Sequence, residues 1–407
     1  MDKELERLSY NLKIYMLALV SFLVGTSEFI IAGILDKVSN DIGVSVAAAG
    51  QLITVFSLAY GFGTPFLMAA AAKVDRKKLM LYALAVFIVG NVAAYFFSGF
   101  GALIVSRVIV ALSSGVFVVT ALTVAAKLAP AEKQGSAIAT LVMGFSTALI
   151  VGVPLGRIVA SAYDWQVVFG GIGLLGLLAL LLIAFAIPKT DGEQPVPLRD
   201  QLKLLKNRKI VVALGITFFW LGGYSITYTY ISPFLLDITG MSEKFVSIAL
   251  LAFGVASLIG SKLGGFGTDR WGYKRTLVTG MLFHAAWLIV ISFAAHSPGL
   301  MFPLLMLWSF SAWSSGPTQQ YHLISLAPEA TSIMLSLNSS VVQLAMAAGA
   351  GIGGVVVEGA SLTAITWIGA AGVAVAALMS ALAFGYFRIG SGSRAANKEA
   401  TAENISA

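Results

Sequence analysis

The sequence predicts an all-α membrane protein in which twelve transmembrane helices form two pseudo-symmetric six-helix bundles. Three observations carry that prediction: a composition poor in charge, twelve apolar runs of membrane-spanning length, and short motifs that recur at a nearly constant offset. Of 407 residues, 58% are hydrophobic and 11% are charged, against about 25% charged in an ordinary soluble chain. A bilayer core about 30 Å thick takes roughly 20 apolar residues at about 1.5 Å rise each.

The runs fall at about 14–35, 48–72, 79–97, 102–126, 137–161 and 166–187, then at 210–235, 246–268, 276–296, 299–325, 332–357 and 362–387. The first follows MDKELERLSYNLK, is longer than the apolar part of a signal peptide and lacks a small-residue cleavage site, so it is expected to remain as a span. The longest hydrophilic interruption, PKTDGEQPVPLRDQLKLLKNRK at 188–209, separates an N-terminal bundle (1–187) from a C-terminal one (210–387). Leu198, Leu202 and Leu205 follow helical spacing within that linker, as a short helix on the cytoplasmic membrane surface would. Residues 388–407 have little to bury and read as a disordered cytoplasmic tail.

A net charge of +7 could signal nucleic acid, but its placement argues for topology instead. With both termini cytoplasmic, all but four of the 26 lysines and arginines fall in inner segments; Lys37 and Lys244 lie in outer loops, and Arg107 and Arg157 lie within spans. That is the positive-inside pattern of a cytoplasmic (inner) membrane protein of bacterial type. There is no cysteine, which excludes disulfides, thiolate nucleophiles and cysteine-held metals.

The halves repeat. LAP at Leu128–Pro130 recurs at Leu326–Pro328, GVPLG at Gly152–Gly156 is matched by GAGIG at Gly349–Gly353, and the basic loop KVDRKKL is matched by DRWGYKR. Three matches in register indicate duplication.

Particular motifs then point to a family. GGFGTDRWGYKR, Gly264–Arg275, combines glycines for a tight turn with Asp269, Arg270, Gly272 and Lys274; it resembles the loop signature of the major facilitator superfamily. GFSTALIVGVPLG, Gly144–Gly156, resembles the fifth-span motif of exporters in that superfamily, with Gly152, Pro154 and Gly156 as its packing and bending positions. SRVIVALSSG around Arg107 resembles the fourth-span arginine motif, with Ala111 where glycine is usual. Nearly the whole chain is similar to the drug/proton antiporter branch. SEFIIAGIL, SSGPTQQYHLISLAPEA and SLNSSVVQLAMAAGAGIGG resemble purine-efflux and arabinose-efflux-like permeases. The first-half loop departs from the pattern, with Lys73 in place of the usual Asp and Arg76 in place of a Gly, so the acid's gating role is not carried over there.

Glu28 is the one acid well inside any span. A charge at the bilayer centre costs at least about 2.5–3.5 kcal/mol, so this side chain is expected to face a cavity or a partner. Counting along the helices places Glu28 roughly 10 Å and Arg107 roughly 8 Å from the outer surface, so depth allows them to pair. Burial raises a carboxyl pKa and a nearby arginine lowers it, a balance that two conformations could shift. Glu28 and Arg107 are therefore the proton-coupling expectation, while Arg157, nearer the surface, is expected to snorkel.

Carriers of this architecture bind substrate near the midplane between the halves. Trp220, Tyr224 and Tyr228 recur every four residues on one face of the seventh span. Trp308, Trp313, Gln319 and Gln320 surround a kink at Gly316 and Pro317 in the tenth, and Asn338 and Gln343 lie in the eleventh. Aromatic faces and amides suit an uncharged planar heterocycle, purine-, nucleoside- or drug-like. His284 and His322 stand alone and read as structural.

The expectation is a proton-coupled antiporter exporting a small planar or uncharged solute by alternating access, a monomer in the bilayer that needs the proton gradient and no cofactor or metal. Its partners are a small-molecule substrate, protons and lipid, with no nucleic acid. Proton-driven uptake or sugar efflux are the rivals within transport. An intramembrane enzyme is disfavoured because the spans hold one acid and scattered histidines, and a channel because no ring of charges suggests a filter.

Overall fold

The computed structural model describes residues 2–97, 99–130, 133–190 and 203–385. The tail at 388–407, with Leu198, Leu202 and most of the linker, lies outside the described residues.

The N-terminal half contains α1 (Asp2–Gly33), the short α2 (Leu35–Ile42), α3 (Val46–Ala70), α4 (Arg76–Phe96), α5 (Phe100–Leu128), α6 (Gln134–Thr147), α7 (Val153–Ala162) and α8 (Gln166–Ala186). The C-terminal half contains α9 (Arg208–Tyr228), α10 (Glu243–Trp271), α11 (Tyr273–Phe293), α12 (Pro298–Leu326), α13 (Thr331–Gly359) and α14 (Ala364–Ala383). A π-helical turn, Ala148–Gly152, joins α6 to α7, so together they make one crossing and the total is twelve. Eleven crossings are long and apolar enough to span a membrane among the described residues. The remaining one, α12, is as long but carries two interior prolines and buried Ser309, Ser311, Ser314, Ser315, Gln319 and His322, which dilute its apolar character.

Duplication is visible in the helix boundaries. α4 begins at Arg76 and α11 at Tyr273; α6 begins at Gln134 and α13 at Thr331, each pair 197 residues apart. Gly43 and Gly240 share that offset, and both take the positive φ of 71° that closes the turn after the first crossing of each half. Packing repeats too. α1 packs on α6 as α9 packs on α13, α3 on α5 as α10 on α12, and α4 on α8 as α11 on α14.

Caps and close approaches set the frame. Ser45, Asp75 and Asn207 cap α3, α4 and α9 by accepting backbone N–H groups. In the exporter-like stretch, Pro154 has no N–H to give Ile150, and the helix accommodates this with the π turn. Gly152 lies against Thr26 and Gly156 against Ile30, which brings α7 close to α1. In the second loop signature, Gly272 (φ 82°) makes the turn between α10 and α11, while Asp269 is exposed and Arg270 lies 6.0 Å over the Phe266 ring. Lys274 is exposed in the first turn of α11.

The halves meet along α3 against α13 and along α10 against the α6–α7 crossing. Among the described residues, every hydrogen bond between the halves lies at or beyond the level of Glu28, towards the end opposite the termini. Ser232 donates to the Ala32 carbonyl at 2.9 Å, and Ser45 donates to Glu358 at 3.2 Å. The Tyr230 ring fills the space left by Gly50 and Gly353. The molecule is therefore closed at that end.

Adjacent glycines test the packing account. A Cβ on Gly264 would collide with the Ser314 carbonyl oxygen, whereas one on Gly265 would meet nothing within 4 Å. Gly264→Ala is expected to destabilise by about 1–3 kcal/mol through overpacking, and Gly265→Ala to hold or raise stability by up to about 1 kcal/mol. Thermal unfolding of the two purified variants gives the comparison; equal melting would contradict the close approach of α10 and α12.

Candidate functional site

Glu28 lies on α1 three residues beyond Gly25, which packs closely on α6. Its Oε1 accepts a hydrogen bond from Gln343 Nε2 of α13 at 3.1 Å. The bond crosses from one half to the other. Oε2 of Glu28 and Oε1 of Gln343 are buried without a protein donor, and Tyr60 of α3 lies within electrostatic reach of the carboxylate. Thus the residue expected to carry protons and one expected to touch substrate are brought together.

The ion pair between Glu28 and Arg107 that depth allowed is not formed. Arg107 instead reaches the α1 backbone one residue earlier, where its Nη2 donates to the Ser27 carbonyl at 3.0 Å. Its guanidinium is held between the rings of Phe56 and Phe169, at 5.1 and 5.4 Å, a cation–π arrangement. Ser27 is fixed in turn, donating to Asn91 Oδ1 at 2.8 Å, and Asn91 donates to the Phe87 carbonyl. Nε and Nη1 of Arg107 have no protein acceptor. A buried guanidinium so thinly paired carries a desolvation cost of several kcal/mol, offset here by the rings, one carbonyl and the field of Glu28.

Arg157 does not snorkel. It is fully buried, donating to the Gly33 carbonyl, to both Asp36 oxygens at 2.8 and 3.2 Å, and to Glu243 Oε2 at 2.9 Å. Lys37 reaches the other Glu243 oxygen at 3.0 Å and Ser161 donates to Oε2 at 3.1 Å. The reason lies in α2, which follows α1 after a bend at Ile34 and holds Asp36 buried one turn beyond Gly33. Glu243 heads α10, so this cluster ties the halves together at the closed end. Burial and the charge of Asp36 push the nearby Asp237 carboxyl above its ordinary range.

In the C-terminal half the aromatic residues converge. Tyr224 stacks on Tyr228 at 5.1 Å and 15°, and lies 5.7 Å from Trp308 and 5.8 Å from Trp313. Phe253, absent from the sequence expectation, packs 5.0 Å from Trp308 and 5.4 Å from Tyr228. His284, read as structural, joins them 6.3 Å from Tyr224. Trp220 sits one turn before Tyr224, with its ring edge beside Gly316. All but the half-buried Trp313 are buried. Trp220, Trp308 and His284 have no hydrogen-bond partner in the protein, at about 1–3 kcal/mol for each unmet group.

The amides divide. Gln319 donates to the Ala213 carbonyl at 2.7 Å and to Thr217 at 3.0 Å, and Thr217 donates to Asn338 at 2.9 Å. Those two amides are committed to holding α9, α12 and α13 together. His322 lies 3.4 Å from Gln319 Oε1 and stacks on Tyr273. Gln320 is exposed and Gln343 faces Glu28.

This architecture is that of a multi-pass membrane transporter. The chain belongs to the Major Facilitator Superfamily, whose profile matches residues 17–332 and 213–404. It is 57% identical over 93% of its length to the MFS-type transporter YbcL of Bacillus subtilis (strain 168), covering 97% of that protein. It is 28% identical to a probable sugar efflux transporter of Helicobacter acinonychis (strain Sheeba), over 88% of this chain and 92% of that one. Its fold matches a D-xylose-proton symporter with a TM-score of 0.72 at 19% identity, covering 91% of this chain and 97% of that chain. A bacterial homolog of the human lysosomal transporter Spinster, inward-facing and unoccupied, matches with a TM-score of 0.70 at 16% identity, over 92% and 95%.

The ionic cluster at the closed end makes a prediction. Glu243→Gln removes one charge from Arg157 and Lys37, and the closed end should open more often. A single cysteine at Thr54, between α3 and α13 in this otherwise cysteine-free chain, should then react with an impermeant maleimide roughly fivefold faster, the ratio given by about 1 kcal/mol of lost pairing. An unchanged rate would mean the cluster does not hold that end shut.

Proposed function

We propose that the protein is a proton-coupled antiporter that exports a small, planar, uncharged solute by alternating access. The hydrogen bond from Gln343 to Glu28 carries this reading, because it joins the two halves through the one carboxylate set deep in the spans. Lys and Arg placement supports cytoplasmic termini in a bacterial-type cytoplasmic membrane, and in that orientation the described conformation faces inward. The carrier acts as a monomer, since each chain holds both halves, and its energy source is the proton gradient rather than a cofactor.

In the cycle, inward-facing protein loads substrate as Glu28 releases its proton to the cytoplasm. Parting of the halves at the opposite end breaks the Glu28–Gln343 bond, and Glu28 is left in a medium of low polarity without its donor. Uptake of an external proton neutralises it, and substrate leaves on the same side. Arg107, bonded to the Ser27 carbonyl, supplies a fixed positive field beside the carboxyl. Resemblance of Gly144–Gly156 to the exporters' motif favours export over uptake. Sugar efflux is the second reading, favoured by the relative named as a probable sugar efflux transporter.

Glu28→Gln should abolish substrate movement driven by a pH gradient in proteoliposomes while leaving counterflow exchange intact. Gradient-driven transport by that variant at wild-type rates would rule out the coupling role.

A further inference from the structure

At the closed end, the first turns of α10 and α12 leave an open groove of about 650 Å³ between them. Phe245 and Ile248 of α10 line it with Met241 just before them, and Pro298, Gly299 and Phe302 of α12 form the other wall. The lining is almost wholly apolar. Phe245 is 59% exposed, and beyond Ile248 the exposed Leu251, Val255 and Ile259 follow at three- and four-residue spacing along α10, which is one helix face. The groove is thus the upper end of a surface turned to lipid.

The unspent charge at its mouth is positive. Lys37 and Arg157 are held by Glu243 and Asp36, whereas the exposed Lys244 makes no hydrogen bond or ion pair among the described residues. It stands four residues before Ile248, so the two share a face of α10. At the other wall α12 begins with neither a capping side chain nor an acid in its first turn, which leaves the positive end of its dipole uncompensated. Duplication supplies an internal comparison. At the offset of 197 residues, Lys244, Phe245 and Ile248 correspond to Ala47, Ala48 and Gln51, which follow the matching glycine turn at Gly43. A cation and two large apolar side chains are therefore not what this turn requires; they are particular to the second half.

We propose that this groove holds one acyl chain of an anionic phospholipid and that Lys244 binds the headgroup phosphate. The chain lies along Phe245 and Ile248 and continues into the bilayer over Leu251 and Val255. Its phosphate, level with the first turn of α10, accepts from the ammonium group, as anionic headgroups do at basic sites beside spans. A zwitterionic headgroup gains less, because its own cation meets the same lysine. A second copy of the chain is a poorer occupant, since a two-fold contact would set Lys244 against the equally positive mouth of its partner. The site lies apart from Glu28 and Gln343, so it stands whatever the substrate is.

The cysteine-free chain permits a local test. The full protein carrying Leu251→Cys labelled with bimane is reconstituted in phosphatidylcholine bilayers, with rising fractions of chain-brominated phosphatidylglycerol or chain-brominated phosphatidylcholine as quenchers. Phosphatidylglycerol should associate about fivefold more strongly at this position, the ratio given by about 1 kcal/mol for a lysine at a membrane surface, and added salt should reduce the preference. Lys244→Gln should bring the ratio close to one. Gly299→Phe, placed where an added Cβ meets nothing within 4 Å, fills the groove and should abolish the preference as well.

Equal association of the two lipids with the unsubstituted groove would overturn the proposal. So would a preference that either substitution leaves unchanged, or quenching by neither lipid, the sign of a second copy covering the face. If Gly299→Phe fails to fold, the exposed Lys244→Gln and the salt dependence decide.

Discussion

A carboxylate inside a bilayer must be matched, and in this protein the match comes from the other half of the molecule. Glu28 accepts from Gln343 across the line where the two bundles meet. An unmatched ionised group there costs at least about 2.5–3.5 kcal/mol, so the charge on Glu28 and the separation of the halves cannot vary independently. Moving α13 from α1 removes the donor that Glu28 now has, and in the proposed cycle that reciprocity is what couples an ion to a conformation.

The remaining structure makes this link consequential. Each bundle is stiffened by glycine-mediated close approaches, such as Gly144 on the Ala18 backbone and Gly260 on the Phe310 backbone, so the halves can move as bodies. Arg107 is clamped by Phe56, Phe169 and Ser27 and so presents a constant field, not a movable partner. At the closed end Arg157, Asp36, Lys37 and Glu243 form a second contact between the halves, aqueous on one side. In the proposed cycle the deep contact is the one that responds to protons, and the shallow one holds the end shut.

Much of this was legible in the sequence. Span number and duplication follow from periodicity and offset, because each crossing must be long and apolar wherever it packs, and helices α4 and α11 do begin 197 residues apart. Glu28 stood out because lipid makes any intramembrane acid conspicuous. Its partner did not, since depth along a helix does not say which group a side chain meets: Arg107 lies at the right height but bonds the Ser27 carbonyl and not the Glu28 carboxylate. Arg157 departs from the snorkelling expectation because the short helix α2 buries Asp36 one turn beyond Gly33, and eight residues give no periodic signal strong enough to show it. Among the amides, composition could not distinguish Gln319 and Asn338, bonded within their own bundle, from Gln343, which faces the other one. A lone histidine such as His284 carries no signal in the sequence; its convergence with Tyr224 and Trp308 appears only in three dimensions.

The most direct test of the central claim is the distance between spin labels across the end that carries the termini, on cysteines introduced at Ile138 and Tyr321, followed as a function of pH in nanodiscs. The account predicts that acidification shortens this distance in the otherwise wild-type chain, as protonated Glu28 lets the closed end part, and that the pH dependence vanishes with glutamine at position 28. A distance that follows pH equally with and without the carboxylate would contradict it.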